Sequence, residues 1–420
     1  MFSYRLIAMP GLPVMVAMTL AGRMRGRLPK GALAERLGLA PAATAGHGPA
    51  IWLHGASNGE IASARWLVDG LRAAVPGLRV LITSNTATAR AMVADWVLPG
   101  VTGALAPFDA GGAAGRVLAR WRPAALIVIE NELWPGRVEA AGRAGVPVMV
   151  VGARMSERSA ARWGRLAPGI MRRMLGGIAF LSAQDQGSEA RLRTLGLPAT
   201  AIGPRLALKG QGAADDAVPL PFAAPVPRDE CLLAASTHEG EDAPLLDAFA
   251  ASRAAGRFRH LILAPRHPRR AAGIAALVRA RGFSMAQRSA GEVPGPQTAV
   301  HLADTMGEMD HWYRMAGVTV IGGTFVPVGG HTPWEPVRHG SAVVHGPSVF
   351  NNADAFAALD GAGGALAVAD GAGLAAALIG LDRARQAQLA AAASAALVPA
   401  GDAAGLLRAI CEKAGLQTRG

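Results

Sequence analysis

Cysteine and lysine are nearly absent from this 420-residue chain. Cys231 and Cys411 are its only cysteines, too few for a disulfide framework or a thiolate metal site, and a reducing compartment is the natural reading. Lys30, Lys209 and Lys413 are its only lysines, so almost all 42 basic residues are arginine. Set against 30 acidic residues they leave a formal charge of 42 − 30 = +12. Aromatic residues make up only 5% and are not interleaved with the arginines, which are dispersed along helical stretches. A nucleic-acid groove sets stacking rings beside its cations. The charge therefore points to an anionic substrate or an anionic membrane surface. The 10 histidines form no i, i+4 pairs with carboxylates around a common helix, so no metal is expected. The 53 glycines and 28 prolines follow no period, which excludes collagen. The ordered G-x-G-x-x-G dinucleotide fingerprint is missing too.

What is present is apolar surface. Hydrophobic residues reach 51% and charged ones only 17%, which excludes a disordered chain. At ~150 residues per domain the length suggests two or three domains. Leu6 to Gly22 is an apolar run flanked by Arg5 and by Arg23, Arg25, Arg27 and Lys30. A spanning helix needs about 20 such residues, and Pro10 and Pro13 interrupt the first turns. With no small-x-small cleavage site after it, the run reads as an uncleaved anchor or an in-plane membrane segment, its basic flank cytoplasmic. A buried helix is the competing reading.

From residue 50 onward short apolar runs alternate with amphipathic stretches. Ala50–His54, Arg79–Ser84, Val101–Ala106, Ala124–Glu130, Val146–Gly152 and Ile178–Ala183 read as buried parallel strands. Helices are expected over Ile61–Ala74, Thr86–Trp96 and Ser156–Leu175. Leu206 to Glu230 breaks the rhythm with Gly, Pro and small residues, as a linker does. Strands resume at Cys231–Ala235, His260–Ala264, Val318–Gly322, Ala342–Gly346 and Ala365–Ala369. The expectation is α/β: two βαβ domains, with ligands in the cleft where the carboxyl ends of their strands face each other.

The strand-to-helix turns carry the unusual residues. HGASNGE, His54 to Glu60, puts a glutamate where it can deprotonate a hydroxyl if its pKa is raised. The same Ser57-x-x-Glu60 is a capping box, and from the pattern alone the cap is the commoner reading. ENELWP, Glu130 to Pro135, ends an apolar strand with two carboxylates, a costly choice unless they are paired or used. An ion pair to Arg154 is the alternative. Arg266, His267 and Arg269 in APRHPRR would hold a phosphate at a helix start. GGTFVPVGGHTPWEP, Gly322 to Pro336, is the strongest local signal. The amides of Gly329, Gly330 and His331 suggest an anion nest, with Glu335 one turn after His331 to meet ribose hydroxyls.

Taken in order, these turns resemble one family. HGASNGE, SNTATA at Ser84–Ala89, PFD at Pro107–Asp109, ENELWP, ARMSERS at Ala153–Ser159, ASTHEGE, APRHP, DTMGE and GGHTPWEP are similar to the 3-deoxy-D-manno-octulosonic acid (Kdo) transferases, from the N-terminal apolar segment to about Asn352. The resemblance implies a GT-B glycosyltransferase of two Rossmann-like domains at the cytoplasmic side of the bacterial inner membrane. It would move Kdo from CMP-Kdo to a lipid A precursor, with inversion and without a metal ion or other cofactor. The implied parts are a membrane segment over 1–27, an acceptor domain over 28–205, a linker over 206–229 and a donor domain over 230–420. Glu60 matches the general base, and Glu130 and Glu132 the acidic pair beside the reacting centre. Ser57, Asn58, Gly59 and Arg154 fall in the acceptor region. Ser236, His238, Glu239, Pro265, Arg266, His267, Met306, Gly307, Glu308, Gly329, Gly330, His331, Thr332 and Glu335 fall in the donor region.

The chain departs from the family pattern in four places. Thr332 stands where asparagine is usual, Trp334 where an aliphatic residue is usual, and Asn58 where a small apolar residue is common. GPRLALK replaces a Gly-Asn-x-Lys turn, displacing Lys209. Two other readings follow: a relative using a CMP-sugar with a different acceptor, and a non-catalytic lipid-binding relative.

Overall fold

The computed structural model describes residues 10–41, 48–208, 219–397 and 402–419. The chain divides into two compact units, Met1–Gly212 with Pro399–Gly420, and Ala213–Val398.

In the first unit six apolar runs form β1 (Ala50–Gly55), β2 (Arg79–Ser84), β3 (Val101–Leu105), β4 (Ala125–Ile129), β5 (Val148–Ala153) and β6 (Ile178–Ala183). They make one parallel sheet in the order β3-β2-β1-β4-β5-β6. Both faces are covered, which is why β1 and β4 are apolar almost without alternation. Trp52, Leu126, Val128 and Val150 pack on one face. Leu53, Ile127, Ile129 and Val151 pack on the other.

The second unit contains β7 (Cys231–Thr237), β8 (His260–Pro265), β9 (Met285–Gln287), β10 (Val300–Leu302), β11 (Val318–Ile321), β12 (Ala342–His345) and β13 (Ala365–Ala367). They form a parallel sheet in the order β13-β12-β11-β7-β8-β10-β9. β9 was not legible in the sequence: it has three residues, and Gly291, Pro294, Gly295 and Pro296 follow it. In the first sheet the strand order reverses between β1 and β4; in the second it reverses between β7 and β11, and β10 is inserted between β8 and the edge strand β9. At such a reversal the loops diverge from the carboxyl ends and leave a crevice.

Four expectations are corrected. The first concerns a membrane-spanning form of the N-terminal segment. Residues 1–9 lie outside the described residues, and the rest folds as a 13-residue helix, Leu12–Met24. At 1.5 Å per residue it is about 20 Å long, short of the ~30 Å of a hydrocarbon core. Among the described residues no helix is long and apolar enough to cross a membrane.

The second concerns the domain boundary at 230–420. The C-terminal helix Ala403–Lys413 packs Leu406, Ile410 and Cys411 into the first unit's core, so the chain's end returns to the unit where it began.

The third concerns the linker. Residues 209–218 lie outside the described residues, but Leu206 and Leu208 are buried in the first unit, and Leu220 and Phe222 pack against the second. The fourth concerns two helices. Ile61–Ala74 is two helices meeting at Ala64, and Ser156–Leu175 is broken where Pro168 starts a new one.

Candidate active site

The first unit's reversal point gathers three carboxylates. Ser57 caps the helix Asn58–Ser63, its Oγ accepting from the Glu60 N–H at 3.3 Å. Glu60 reaches back, Oε2 accepting from the Ala56 N–H at 2.6 Å and Oε1 from the Ser57 hydroxyl at 3.3 Å. The capping box is therefore real. Even so, burial pushes the Glu60 carboxyl up to about 7, with the negative charges of Glu130 and Glu132 adding to it against the Ala56 amide. Capping and proton transfer are compatible in one side chain.

The two carboxylates that raise it leave β4. Glu130 sits in the left-handed region at φ 55°, and its N–H donates to Val151 O at 3.0 Å. Glu132 Oε2 accepts from Trp134 Nε1 at 2.7 Å and Asn85 Nδ2 at 3.1 Å. His54 Nε2 lies 3.7 Å from the same oxygen. The His54 imidazole, then the Trp134 and Asn85 donors, hold Glu132 down to about 2. Neighbouring carboxylates pushed apart in this way take different roles, one to carry a proton and one to carry charge.

Asn58 Oδ1 accepts from the Thr86 and Thr88 hydroxyls, tying this turn to the one after β2. The Arg154 N–H donates to Asn131 Oδ1 at 3.0 Å, which fixes the Glu130–Glu132 turn through its middle residue.

The second unit's reversal point is cationic. The turns after β7 and β11 bring His238 and His331 together, Nε2 to Nε2 at 2.9 Å, with rings stacked at 5.2 Å. One proton must lie between them. His267, after β8, meets His238 edge-on at 6.0 Å. Burial first, then His267, Arg270 and Arg266, lowers the His238 pKa against the pull of Glu241. Arg266 and Arg269 are exposed beside it.

The glycines here answer to space. A Cβ on Gly322 would stand 2.4 Å from Ser236 O, and one on Gly329, at φ 96°, would stand 2.4 Å from the Phe350 ring.

Two donor-side expectations fail in detail. The amides of Gly329, Gly330 and His331 form no open nest: they donate to Ser348 Oγ, Gly323 O and Gly322 O. Glu335 is in the helix Trp334–Arg338, which starts after His331, so the two do not share a helix face. The Tyr313 hydroxyl donates to Glu335 Oε2 at 3.4 Å. In the DTMGE turn, Glu308 is clamped by Arg288 and Thr305, and Asp304 by Ser289 and Gln287, while Met306 is exposed. Glu239 is exposed and Thr332 Oγ1 accepts from the Trp334 N–H.

The residue the sequence reading passed over is Glu241. It is 1% exposed, and its carboxylate accepts from the N–H groups of His238, Gly323 and Phe325. Its signal was present, an acidic residue three positions after His238 at a helix start. Below it Asp242 binds Arg270 and the Thr237 hydroxyl. Among the described residues no three His, Cys, Asp or Glu side chains gather as a metal site.

Residues 31–209 match the family model described as 3-Deoxy-D-manno-octulosonic-acid transferase (kdotransferase). A 3-deoxy-D-manno-octulosonic acid transferase of Bordetella pertussis is 38% identical over 334 residues, 76% of each chain. The chain belongs to the Kdo transferase family. The Kdo transferase of Haemophilus influenzae is 31% identical over 335 residues, 77% of each chain. A probable mitochondrial Kdo transferase of Arabidopsis thaliana is 30% identical over 324 residues, 74% of this chain and 72% of that one.

Among solved structures, a putative UDP-N-acetylglucosamine 2-epimerase from Listeria monocytogenes shares the fold at a TM-score of 0.60 and 12% identity, covering 87% of this chain and 96% of that one. A glycosyltransferase from Rickettsia africae ESF-5 gives 0.54 at 11% identity, covering 88% and 98%. At such identities the likeness is one of fold, two doubly wound α/β units of the GT-B kind. As a Kdo transferase the chain is a glycosyltransferase.

Proposed function

We propose that this Kdo transferase moves Kdo from CMP-Kdo to a sugar hydroxyl of a lipid A precursor of the lipid IVA type, by an inverting displacement at the cytoplasmic side of the inner membrane. Glu60 takes the proton from the acceptor hydroxyl as that oxygen attacks the anomeric carbon of Kdo. The bond from that carbon to the phosphate oxygen breaks, and its electron pair leaves with cytidylate. What supports this reading is the placing of Glu60 at the reversal point beside Glu130 and Glu132, its carboxylate taking only one backbone N–H and one hydroxyl, with burial pushing its carboxyl up to about 7, near working pH.

Glu130 and Glu132 remain as fixed negative charge beside the acceptor and the developing positive charge on the sugar. Arg266 and Arg269 offer cationic partners, and the imidazoles of His267, His238 and His331 offer N–H donors, for the departing phosphate. The helix Leu12–Met24, with Val14, Met18 and Met24 exposed and Arg23 and Arg25 at its end, suits an in-plane contact with anionic lipid. Deleting residues 1–27 is then expected to lower activity on membrane-embedded acceptor more than on detergent-dispersed acceptor; equal losses would remove the membrane role.

The test is mass spectrometry of a purified-enzyme reaction with regenerated CMP-Kdo and a tetraacylated lipid A precursor, run beside Glu60→Gln. The expected product is heavier by whole Kdo units and absent with the variant. Equal product from both proteins returns Glu60 to its capping role. No product from folded wild type, with CMP release from another acceptor, moves the reading to a CMP-sugar relative.

A further inference from the structure

His54 is fully buried near the end of β1, paired in register with Thr83 of β2. Its Nδ1 lies 3.0 Å from Thr83 Oγ1 and 3.1 Å from Thr83 O. Trp52 Nε1–H, two residues earlier on the same face, donates to that same Thr83 Oγ1 at 2.9 Å. The other ring nitrogen, Nε2, is buried with no hydrogen-bond partner among the described residues, and points to Glu132 Oε2 at 3.7 Å. That distance is beyond a hydrogen bond but well within charge contact. Arg137, 2% exposed with its guanidinium over the Trp52 ring at 5.6 Å, is the charge facing His54 from the neighbouring helix Pro135–Arg143.

We propose that His54 is a positioning residue for the transfer: a neutral imidazole protonated on Nε2, oriented by the Trp52–Thr83 relay, that fixes the Glu132 carboxylate beside Glu60. The inference rests on the reading of Glu60 as the base. The logic is one of donors and acceptors. Trp52 uses one acceptor site of the Thr83 hydroxyl, whose single hydrogen has Nδ1 at 3.0 Å and Leu53 O at 3.5 Å within reach, and the shorter contact makes Nδ1 the acceptor. The Thr83 carbonyl, 3.1 Å from Nδ1, favours the opposite tautomer, which would leave a lone pair on Nε2. A lone pair on Nε2 facing a carboxylate in a buried site would repel it, whereas an N–H there attracts it. The imidazolium is disfavoured because burial, with Arg137 adding to it, pulls His54 down to about 4. The result is a second layer behind the acidic cluster. Asn85 and Trp134 hold Glu132 from the solvent side and His54 from beneath. Glu132 thereby stays ionised and in place to keep the Glu60 carboxyl raised.

Two measurements test this. In 15N-histidine NMR of the full chain, the His54 signal is identified by its loss in His54→Gln. It is expected to show the Nε2–H tautomer, unchanged from about pH 6 to about pH 8. An Nδ1–H tautomer or an imidazolium overturns the proposal, whether or not the protein turns over. In the transfer assay, His54→Gln keeps an amide N–H near the Nε2 position, and His54→Asn keeps one only near Nδ1. Glutamine is expected to retain kcat within about threefold, while asparagine loses about tenfold or more, with donor KM unchanged in both. Equal losses, or asparagine outperforming glutamine, would reduce His54 to a packing residue. Loss of the base reading shows up separately, as activity retained in Glu60→Gln.

Discussion

Glu60 and Glu241 occupy matching places in the two units, at the helix start after the first strand of each sheet, and they have been put to opposite uses. Glu241 is sealed from water and spends its carboxylate on three backbone N–H groups, welding the turns after β7 and β11 into one shape. Glu60 receives one backbone N–H and one hydroxyl, and faces two like charges. A glutamate at a helix start is therefore structural where three backbone amides hold its carboxylate, and has its pKa raised where burial and like charge outweigh a single amide. The surroundings differ in the same sense. The first reversal point is acidic around its glutamate, and the second is a cluster of histidines and arginines. An acidic site suits taking a proton from a hydroxyl, and a cationic one suits holding an anionic leaving group.

Glu60→Gln breaks the comparison most directly. Its amide oxygen still accepts the Ala56 N–H, so the fold is kept, while kcat is expected to fall ~10²–10⁴-fold. The same variant has a stability signature. A carboxyl raised above its ordinary 4.5 to about 7 holds more protons folded than unfolded across that window. Wild-type stability therefore falls as pH rises through it, and thermal melts of Glu60→Gln are expected to lose that slope.

Glu241→Ala tests the other glutamate. It strands buried N–H groups at Gly323 and His238, which costs about 1–3 kcal/mol, and donor KM is expected to rise ~10-fold or more with the Glu60 pH limb unmoved. His331→Asn removes the shared proton of the histidine pair. Donor KM is expected to rise about tenfold. Glu132→Gln is the finest cut. Removing one negative charge lets Glu60 ionise more readily, so the acid limb of kcat is expected to move to lower pH, by about half to one unit. A limb moving upward would reverse the assignment.

Most of the fold was legible because buried parallel strands announce themselves as apolar runs between helical stretches. The failures have physical causes. Short edge strands such as Met285–Gln287 carry too few residues to show a period. The return of Ala403–Lys413 to the first unit depends on which apolar face is free in space, which no local pattern encodes. At the site, Glu130 and Glu132 stood out because carboxylates after an apolar strand are expensive, whereas Glu60 read as a helix cap from its pattern and took its role as a base from the family resemblance. The supposed nest did not survive because glycine amides satisfy nearby carbonyls as readily as a phosphate, and sequence does not say which. His54 looked like one more strand residue; only the register with Thr83 and the fold of the ENELWP turn bring it to Glu132.

The central claim is that Glu60 carries the proton of the transfer. The measurement that tests it most directly is the single-turnover rate of Kdo transfer against pH, for wild type and Glu60→Gln at saturating donor and acceptor. The account predicts a wild-type rate that climbs about tenfold per pH unit and levels off near pH 7, and a variant rate that is low and flat. A wild-type rate independent of pH from about 5 to about 8, or a variant that follows the wild-type curve, would contradict it.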